Sequence, residues 1–494
     1  MIHGKFYIGG QWLDGSARFD SVDPSTEESI GWAYEGGTEE ISSAISAART
    51  ALSGWAGTPP SRRATYLERA VRSIRERYGQ AGEPTLLKRL ISSEMGKVPA
   101  EADVEVEVME ASDMLTFFAS RGPEVLAETS PSIDGELWPT KRSLLRSEPV
   151  GVVALIKPWN YPFELPLWTI GAALVAGNCV ILKPSEYTPL VALEIGKIVE
   201  EAELPPGVLN IVTGSAQTGR YLVEADGVDM VSFTGSVAAG RHIATQCGKR
   251  LRRVSLELGG KDPAIVMDDA DVELAANGIT WGAFGNAGQV CTAVERAYVH
   301  ESVMERLVDL VVQKTSALRL GIDIPPLVSA SQLRKVEDHV ADAVSKGARV
   351  LVGGRRSDSH AKGYFYPPTV LTHVDESMRI MTEETFGPVL PIASYSDLSE
   401  AIRAANSTAY GLGASVWSSS RVRSSQVADQ LEAGMVWIND VNVPFPQCPW
   451  SGVKESGIGV ELSDRGVLEF ARIKHVSVEL GDQTSRSWWY PYAD

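Results

Sequence analysis

Between residues 150 and 258, short apolar runs at 152–156, 179–182, 208–212, 230–233 and 254–256 alternate with helix-like segments. These runs are continuous rather than alternating in polarity. Such strands are buried on both faces, so the pattern predicts a parallel sheet with helical crossovers. The stretch 165–182 approaches membrane-spanning length, but Pro166, Gly171, Gly177 and Asn178 divide it into a helix and the next strand. From 261 onward a second α/β pattern follows. It has helices near 301–318, 331–346 and 397–406, and strands near 349–352, 413–417 and 435–438.

The chain before the sheet is mostly helical. Residues 5–35 read as short strands with turns at Gly9-Gly10 and Asp14-Gly15, after which Thr38 is placed to cap a helix carrying Ala44, Ala48 and Leu52. Further helices are expected over 61–79, 83–95 and 99–120. The segment 121–149 is interrupted by Pro123, Pro131 and Pro139 and ends in a strand candidate at 143–147. It reads as an extended arm, and 473–480 reads as a last strand.

Length and charge narrow the classes. A chain of 494 residues exceeds one hydrophobic core, so at least two domains are expected. A net charge of -17 and a pI near 5.0 argue against a nucleic-acid surface, and Arg62-Arg63 and Arg250-Leu251-Arg252-Arg253 are too short to change that. The four cysteines, Cys179, Cys247, Cys291 and Cys448, have neither metal-ligand spacing nor the density of a disulfide scaffold. No metal and no membrane partner are expected. The N-terminal residues Met1 to Lys5 show no apolar signal core, so the reducing cytoplasm is the expected location.

The candidate chemistry centres on Phe284-Gly285-Asn286-Ala287-Gly288-Gln289-Val290-Cys291-Thr292-Ala293. A thiol on a glycine-flanked turn can meet a small molecule closely, and as a thiolate it is a nucleophile. Glu257, before Leu258-Gly259-Gly260-Lys261, is a candidate base, whereas Lys261 itself reads as a surface charge. Three further stretches follow predicted strands: Lys157-Pro158-Trp159-Asn160-Tyr161-Pro162, Lys183-Pro184-Ser185-Glu186, and Thr234-Gly235-Ser236 running on to Gly240. Ligands of parallel sheets bind beyond the carboxyl ends of strands, so all three are expected to line one crevice.

Together with Glu384-Thr385-Phe386-Gly387-Pro388, these stretches resemble the aldehyde dehydrogenase superfamily, in family order and over nearly the whole chain. The resemblance implies an α/β fold, with a Rossmann-like parallel-sheet cofactor domain (1–127 and 149–260) and an α/β catalytic domain (261–440). It also implies a small β oligomerisation arm and tail (128–148 and 473–494), and a substrate-entrance segment over 441–472. It implies NAD(P)-dependent, hydrolytic oxidation of an aldehyde to the acid, with Cys291 as nucleophile, Glu257 as base and Asn160 as oxyanion donor. Ile156, Lys157, Trp159, Lys183, Ser185, Glu186, Gly214, Phe233, Gly235, Ser236, Leu258, Glu384 and Phe386 are expected at the cofactor. A carboxylate at Glu186 disfavours a 2′-phosphate, so NAD is preferred and NADP remains open.

The resemblance places Tyr161, Phe163, Glu164, Trp168, Val290, Thr292, Cys448 and Trp450 around the substrate. Neither the helix near 163–175 nor the loop 442–450 carries Arg or Lys, so a carboxylated semialdehyde is disfavoured and a neutral aromatic or aliphatic aldehyde is expected. The aromatic residues leave open an amino or betaine-type aldehyde held by cation–π attraction, although Val290 and Thr292 do not complete a cage. Two other readings are a CoA-acylating enzyme and a non-catalytic dinucleotide-binding protein. The apolar tail Ser487-Trp488-Trp489-Tyr490-Pro491-Tyr492 is expected to dock on this chain or on a second subunit of a homodimer or homotetramer.

Overall fold

The computed structural model describes residues 2–79, 85–108, 111–357, 360, 362–482, 484, 486, 489 and 490. Its first large sheet has eight strands. Five parallel strands, in the order Arg253–Glu257, Met230–Thr234, Val152–Ile156, Cys179–Lys183, Leu209–Ile211, form its body. Each lies within two residues of a predicted apolar run. Phe6–Ile8 and Gln11–Leu13 extend one edge antiparallel, and Gly457–Ile458 closes the other. The strand order reverses between Val152–Ile156 and Met230–Thr234, and at such a switch point the crossovers leave a crevice at the carboxyl ends.

The second sheet has seven strands, with Val294–His300 at its centre and Asp262–Val266 next to it, between Val294–His300 and Gly413–Trp417. Its strands are parallel except for Arg349–Val352, which runs antiparallel to Thr369–Thr372. Lys141–Pro149 pairs antiparallel with Ala471–Glu479 in a separate ribbon, so the arm and the last predicted strand are partners. Each sheet has its own hydrophobic core.

Two expectations are corrected. The helix Thr38–Ala56 starts from Gly37 rather than from a Thr38 cap, and the Glu40 side chain accepts from the Gly37 N–H at 2.8 Å. A glycine offers no capping side chain, so the third helical residue supplies one. The helix expected over 99–120 is broken into Pro99–Asp103, a π-helical turn Val104–Val108, and Ala111–Val125, with residues 109 and 110 outside the described part. The wider π turn accompanies a tertiary bond: the Glu105 carboxylate accepts from Phe163 N at 2.9 Å, at the start of Glu164–Ala176.

A second carboxylate does the same for Pro189–Glu201. Glu94 accepts from Leu190 N and Val191 N at 3.0 and 2.8 Å, and from Ser21 Oγ at 2.6 Å. In the tail, Trp489 and Tyr490 are exposed, while Ser487, Trp488, Pro491 and Tyr492 lie outside the described residues. The start of the helix expected over 83–95 also falls outside them, and its described part is Leu86–Met95.

Burial pushes the Glu94 carboxyl up to about 7 from 4.5, against the pull of its hydrogen bonds to Ser21, Val191 and Leu190. Above pH 4.5 the unfolded chain releases this proton while the folded one keeps it, so this group's contribution to stability falls as pH rises to about 7. Glu94→Gln titrates in neither state. Thermal melts at about pH 5 and about pH 8 should therefore show a smaller loss for the variant than for the parent. Parallel losses would refute the assignment.

Candidate active site

The helix Val272–Phe284 stops at Gly285, and Asn286, Ala287 and Gly288 then take three successive left-handed conformations, with φ of 52°, 53° and 70°. A Cβ on Gly288 would stand 2.3 Å from Gly387 O, so the turn is pressed against the neighbouring loop. Its polar groups are held from several elements. Asn286 N donates to Glu101 Oε1 at 2.6 Å, and the Gln289 side chain donates to Asn286 O and accepts from Val328 N. Asn160 Nδ2 donates to Gln289 O at 3.1 Å, and Asn286 Nδ2 donates back to Asn160 O at 3.3 Å. Cys291 is thus carried by the second sheet and anchored to the first.

Cys291, Asn160 and Glu257 line one cavity of about 200 Å³. Trp159, Gly235, Ser236, Leu258, Glu384 and Phe386 line it too, as expected for a cofactor crevice. Tyr161 and Val290, which adjoin Asn160 and Cys291 in sequence, line a second cavity of about 80 Å³. The candidate nucleophile therefore stands between two spaces.

Electrostatics keep the resting groups uncharged. Neither Glu257 oxygen has a hydrogen-bond partner among the described residues; burial pushes this carboxyl well up, and Glu461 adds to the rise while Lys157 opposes it. Burial likewise pushes the Cys291 thiol far above its usual range, with Asp262, Glu257 and Glu384 adding. Glu384 itself is pushed up to about 7, chiefly by burial, and accepts from Gly260 N at 3.1 Å.

The crevice suits a dinucleotide. Ser236 caps the helix Val237–Lys249, whose first N–H groups face the cavity end and favour an anion. Lys183, the last residue of the strand Cys179–Lys183, lies 3.6 Å from Glu186, with Ser185 between them in sequence. Gly214 follows the strand Leu209–Ile211, and a Cβ there would meet Thr218 Oγ1 at 2.1 Å. Ile156 and Phe233 are buried at their strand ends. Lys157 departs from expectation: its ammonium turns away into the protein, 2.5 Å from Glu461 Oε1 and 2.9 Å from Thr234 Oγ1.

Several residues expected at the substrate lie elsewhere. Phe163 is fully buried and packs edge-on to Tyr78, and Trp168 stacks edge-on to Trp450 at 5.5 Å. Thr292 is buried and Cys448 exposed, and none of these lines either cavity. For Phe163 and Trp168 the reason is that Glu164–Ala176 is buried all round, so the aromatic side chain within it and the one at its N-cap fill core. Glu164 is buried with them, and its carboxyl is pushed well up by burial and by Glu105. In their place the second cavity gathers Lys97, Glu101, Trp281, Asn286 and Asn442. Lys97 thus brings to this second cavity, from a distant segment, a cation that neither the helix near 163–175 nor the loop 442–450 supplies. Gln332 and Lys335 are additional to the crevice. Asn286, inside the nucleophile stretch, and Asn442, inside the expected entrance segment, carried a sequence signal, whereas Lys97, Glu101 and Trp281 did not.

Lys261 is also corrected from a surface charge to a buried one. Its ammonium lies 2.5 Å from Glu295 Oε2 and 3.2 Å from Thr385 Oγ1. Glu295 in turn accepts from Thr385 N and Phe386 N, holding Phe386 at a left-handed φ of 54°. The pair thereby fixes the loop that brings Glu384 to the crevice. Groups of His, Cys, Asp and Glu able to hold a metal are absent among the described residues.

The two parallel sheets, the switch-point crevice and the cysteine on a strained turn define a dinucleotide-linked enzyme of nucleophilic type. The model of the aldehyde dehydrogenase family matches residues 12–476, and the chain belongs to that family. It is 38% identical over 501 residues to the peroxisomal aminoaldehyde dehydrogenase 1 of Pisum sativum, covering 99% of this chain and 98% of that protein. Among solved structures it is similar to lactaldehyde dehydrogenase from Escherichia coli, at 38% identity and TM-score 0.91 over 97% of this chain and 99% of that one. It is also similar to betaine aldehyde dehydrogenase from Staphylococcus aureus in complex with NAD+, at 33% identity and TM-score 0.92, over 98% and 96%.

Because Lys261 and Glu295 form a buried pair, Lys261→Met leaves a buried carboxylate unpaired and should cost about 3–5 kcal/mol. A drop in the thermal midpoint measures this; a change within about 0.5 kcal/mol, as at a surface site, would refute it.

Proposed function

We propose that this chain oxidises an uncharged aldehyde to its carboxylic acid with NAD preferred, through a covalent Cys291 adduct. The observation that carries the reading is the convergence of Cys291, Glu257 and Asn160 on one cavity beside the helix start at Ser236. Glu257, once ionised, takes the thiol proton, and Cys291 Sγ attacks the carbonyl carbon to give a thiohemiacetal. The second N–H of the Asn160 amide and the Cys291 N–H stabilise the oxyanion. A nicotinamide held beside Glu384 would supply the acceptor for the hydride on this carbon. Glu257, having passed the thiol proton to solvent, deprotonates the water that hydrolyses the thioester, and Cys291 leaves as the thiolate.

Ser236 and Gly235 would hold the pyrophosphate, Lys183 and Glu186 the adenosine ribose, and Glu384 the second ribose. A carboxylate at Glu186 supports NAD over NADP, in line with the NAD+ complex of the S. aureus relative. We read 1–127 with 149–260 as the cofactor domain and 261–440 as the catalytic domain. Glu257 as hydrolytic base supports water rather than CoA as acyl acceptor. A second reading, an aminoaldehyde or betaine aldehyde, draws on the curated relatives and on the carboxyls Glu101, Glu105 and Glu164 around Tyr161. Four free cysteines support a reducing compartment, and the cytoplasm is our choice although the Pisum sativum relative is peroxisomal.

Cys291→Ala should abolish NAD reduction, Glu257→Gln should accumulate acyl-enzyme and stall, and Asn160→Ala should lower kcat by about 10²–10³. Retained steady-state turnover in Glu257→Gln would remove it as the base. With the Glu257 carboxyl held high by burial, kcat/KM should climb with pH through neutrality; a flat profile down to about pH 5 would refute that.

The ribbon of Lys141–Pro149 and Ala471–Glu479, with the apolar tail, is our candidate subunit contact in a homodimer or homotetramer. Truncation after Gln483 should lower the mass seen by light scattering at low concentration. An unchanged mass would count against it.

A further inference from the structure

We propose that Lys97 determines substrate specificity, admitting aldehydes that carry an uncharged hydroxyl and rejecting cationic ones; this rests on the aldehyde oxidation proposed above. Lys97 follows Gly96, the left-handed end of the helix Leu86–Met95. A Cβ on Gly96 would lie 2.6 Å from Pro326 Cγ, so the backbone that delivers Lys97 is fixed. The Lys97 ammonium lies 3.5 Å from the centroid of the Tyr161 ring and 2.7 Å from Glu105 Oε2, and the residue is buried. Lys97 and Tyr161 line the smaller cavity together.

A substrate ammonium would seek the face of an aromatic ring, and the chain's own cation already occupies that place on Tyr161. Glu105 cannot be recruited to offset a second cation, since its other oxygen accepts from Phe163 N and Glu164 N. The same arrangement recognises a hydroxyl. Of the three Lys97 N–H groups, one has a hydrogen-bond acceptor among the described residues. Asn442 lines the same cavity, is 8% exposed, and its side-chain oxygen has no hydrogen-bond partner. A hydroxyl can accept from Lys97 and donate to Asn442, satisfying both, which neither a methyl nor an ammonium can do. Glu101 Oε2 is likewise unpartnered and buried. Its carboxyl is raised chiefly by burial, against Asn286 and Lys97, which weakens its pull on a cation.

The test compares kcat/KM, with NAD, for three propanals whose far carbon carries a hydroxyl, an ammonium or a methyl group. The parent enzyme should favour the hydroxyl over the ammonium form by at least about tenfold, and Lys97→Met should bring the two within about threefold. Because that variant strands Glu105, Lys97→Met with Glu105→Gln is assayed beside it, with thermal melts confirming the fold. An ammonium form that is the best parent substrate, or a ratio unmoved in both variants, overturns the role of Lys97 while leaving aldehyde oxidation intact. No NAD reduction by the parent with any of the three overturns both readings.

Discussion

Two non-glycine residues in succession, Asn286 and Ala287, sit in the left-handed region just before the nucleophile. Such positions cost about 1–3 kcal/mol each and persist only where their surroundings over-determine them. Here the restraints come from four separate segments: Glu101 beside the π turn, Asn160 at the switch point, Pro326-Leu327-Val328, and Gly387. Cys291 is therefore held in place by contacts from both halves of the molecule. The active site is a product of the interface between them rather than of either sheet.

Buried carboxylates are a recurring means by which distant segments within each half are tied together. Glu94, Glu105 and Glu295 each accept from two successive backbone N–H groups in a distant segment. Hydrogen bonds of this kind offset part of the cost of burying the carboxyl, and they fix where the receiving segment begins. Where no such partners exist, as at Glu257 and Cys291, burial instead holds the group neutral and reactive chemistry waits for its proton to leave.

The inner strands 152–156 and 413–417 were legible because burial on both faces leaves an apolar run, and the partly exposed strands 349–352 and 435–438 also appear at the expected residues. The crevice was legible for the same reason, since its motifs directly follow those strands. What failed depended on distant partners. Lys261 looks like any charge after two glycines until Glu295, on another strand, neutralises it. Phe163 and Trp168 look like a pocket wall until the helix carrying them proves buried all round. Lys97 gave no signal at all, because nothing near it in sequence reveals that Tyr161 and Glu105 will enclose it.

Glu105 both holds Lys97 and starts the helix Glu164–Ala176. That shared duty has an evolutionary side. A lineage drifting toward a different diet cannot discard the lysine one step at a time, since the stranded carboxylate would loosen a helix at the heart of the first core. It cannot discard the carboxylate first either, because the lysine would then be left without its counter-charge. Changes at the two positions must arrive together, or be preceded by stabilising changes elsewhere. Descendants of this chain should therefore keep the Lys97–Glu105 pair long after less entangled tunnel residues, such as the exposed Trp281, have diverged.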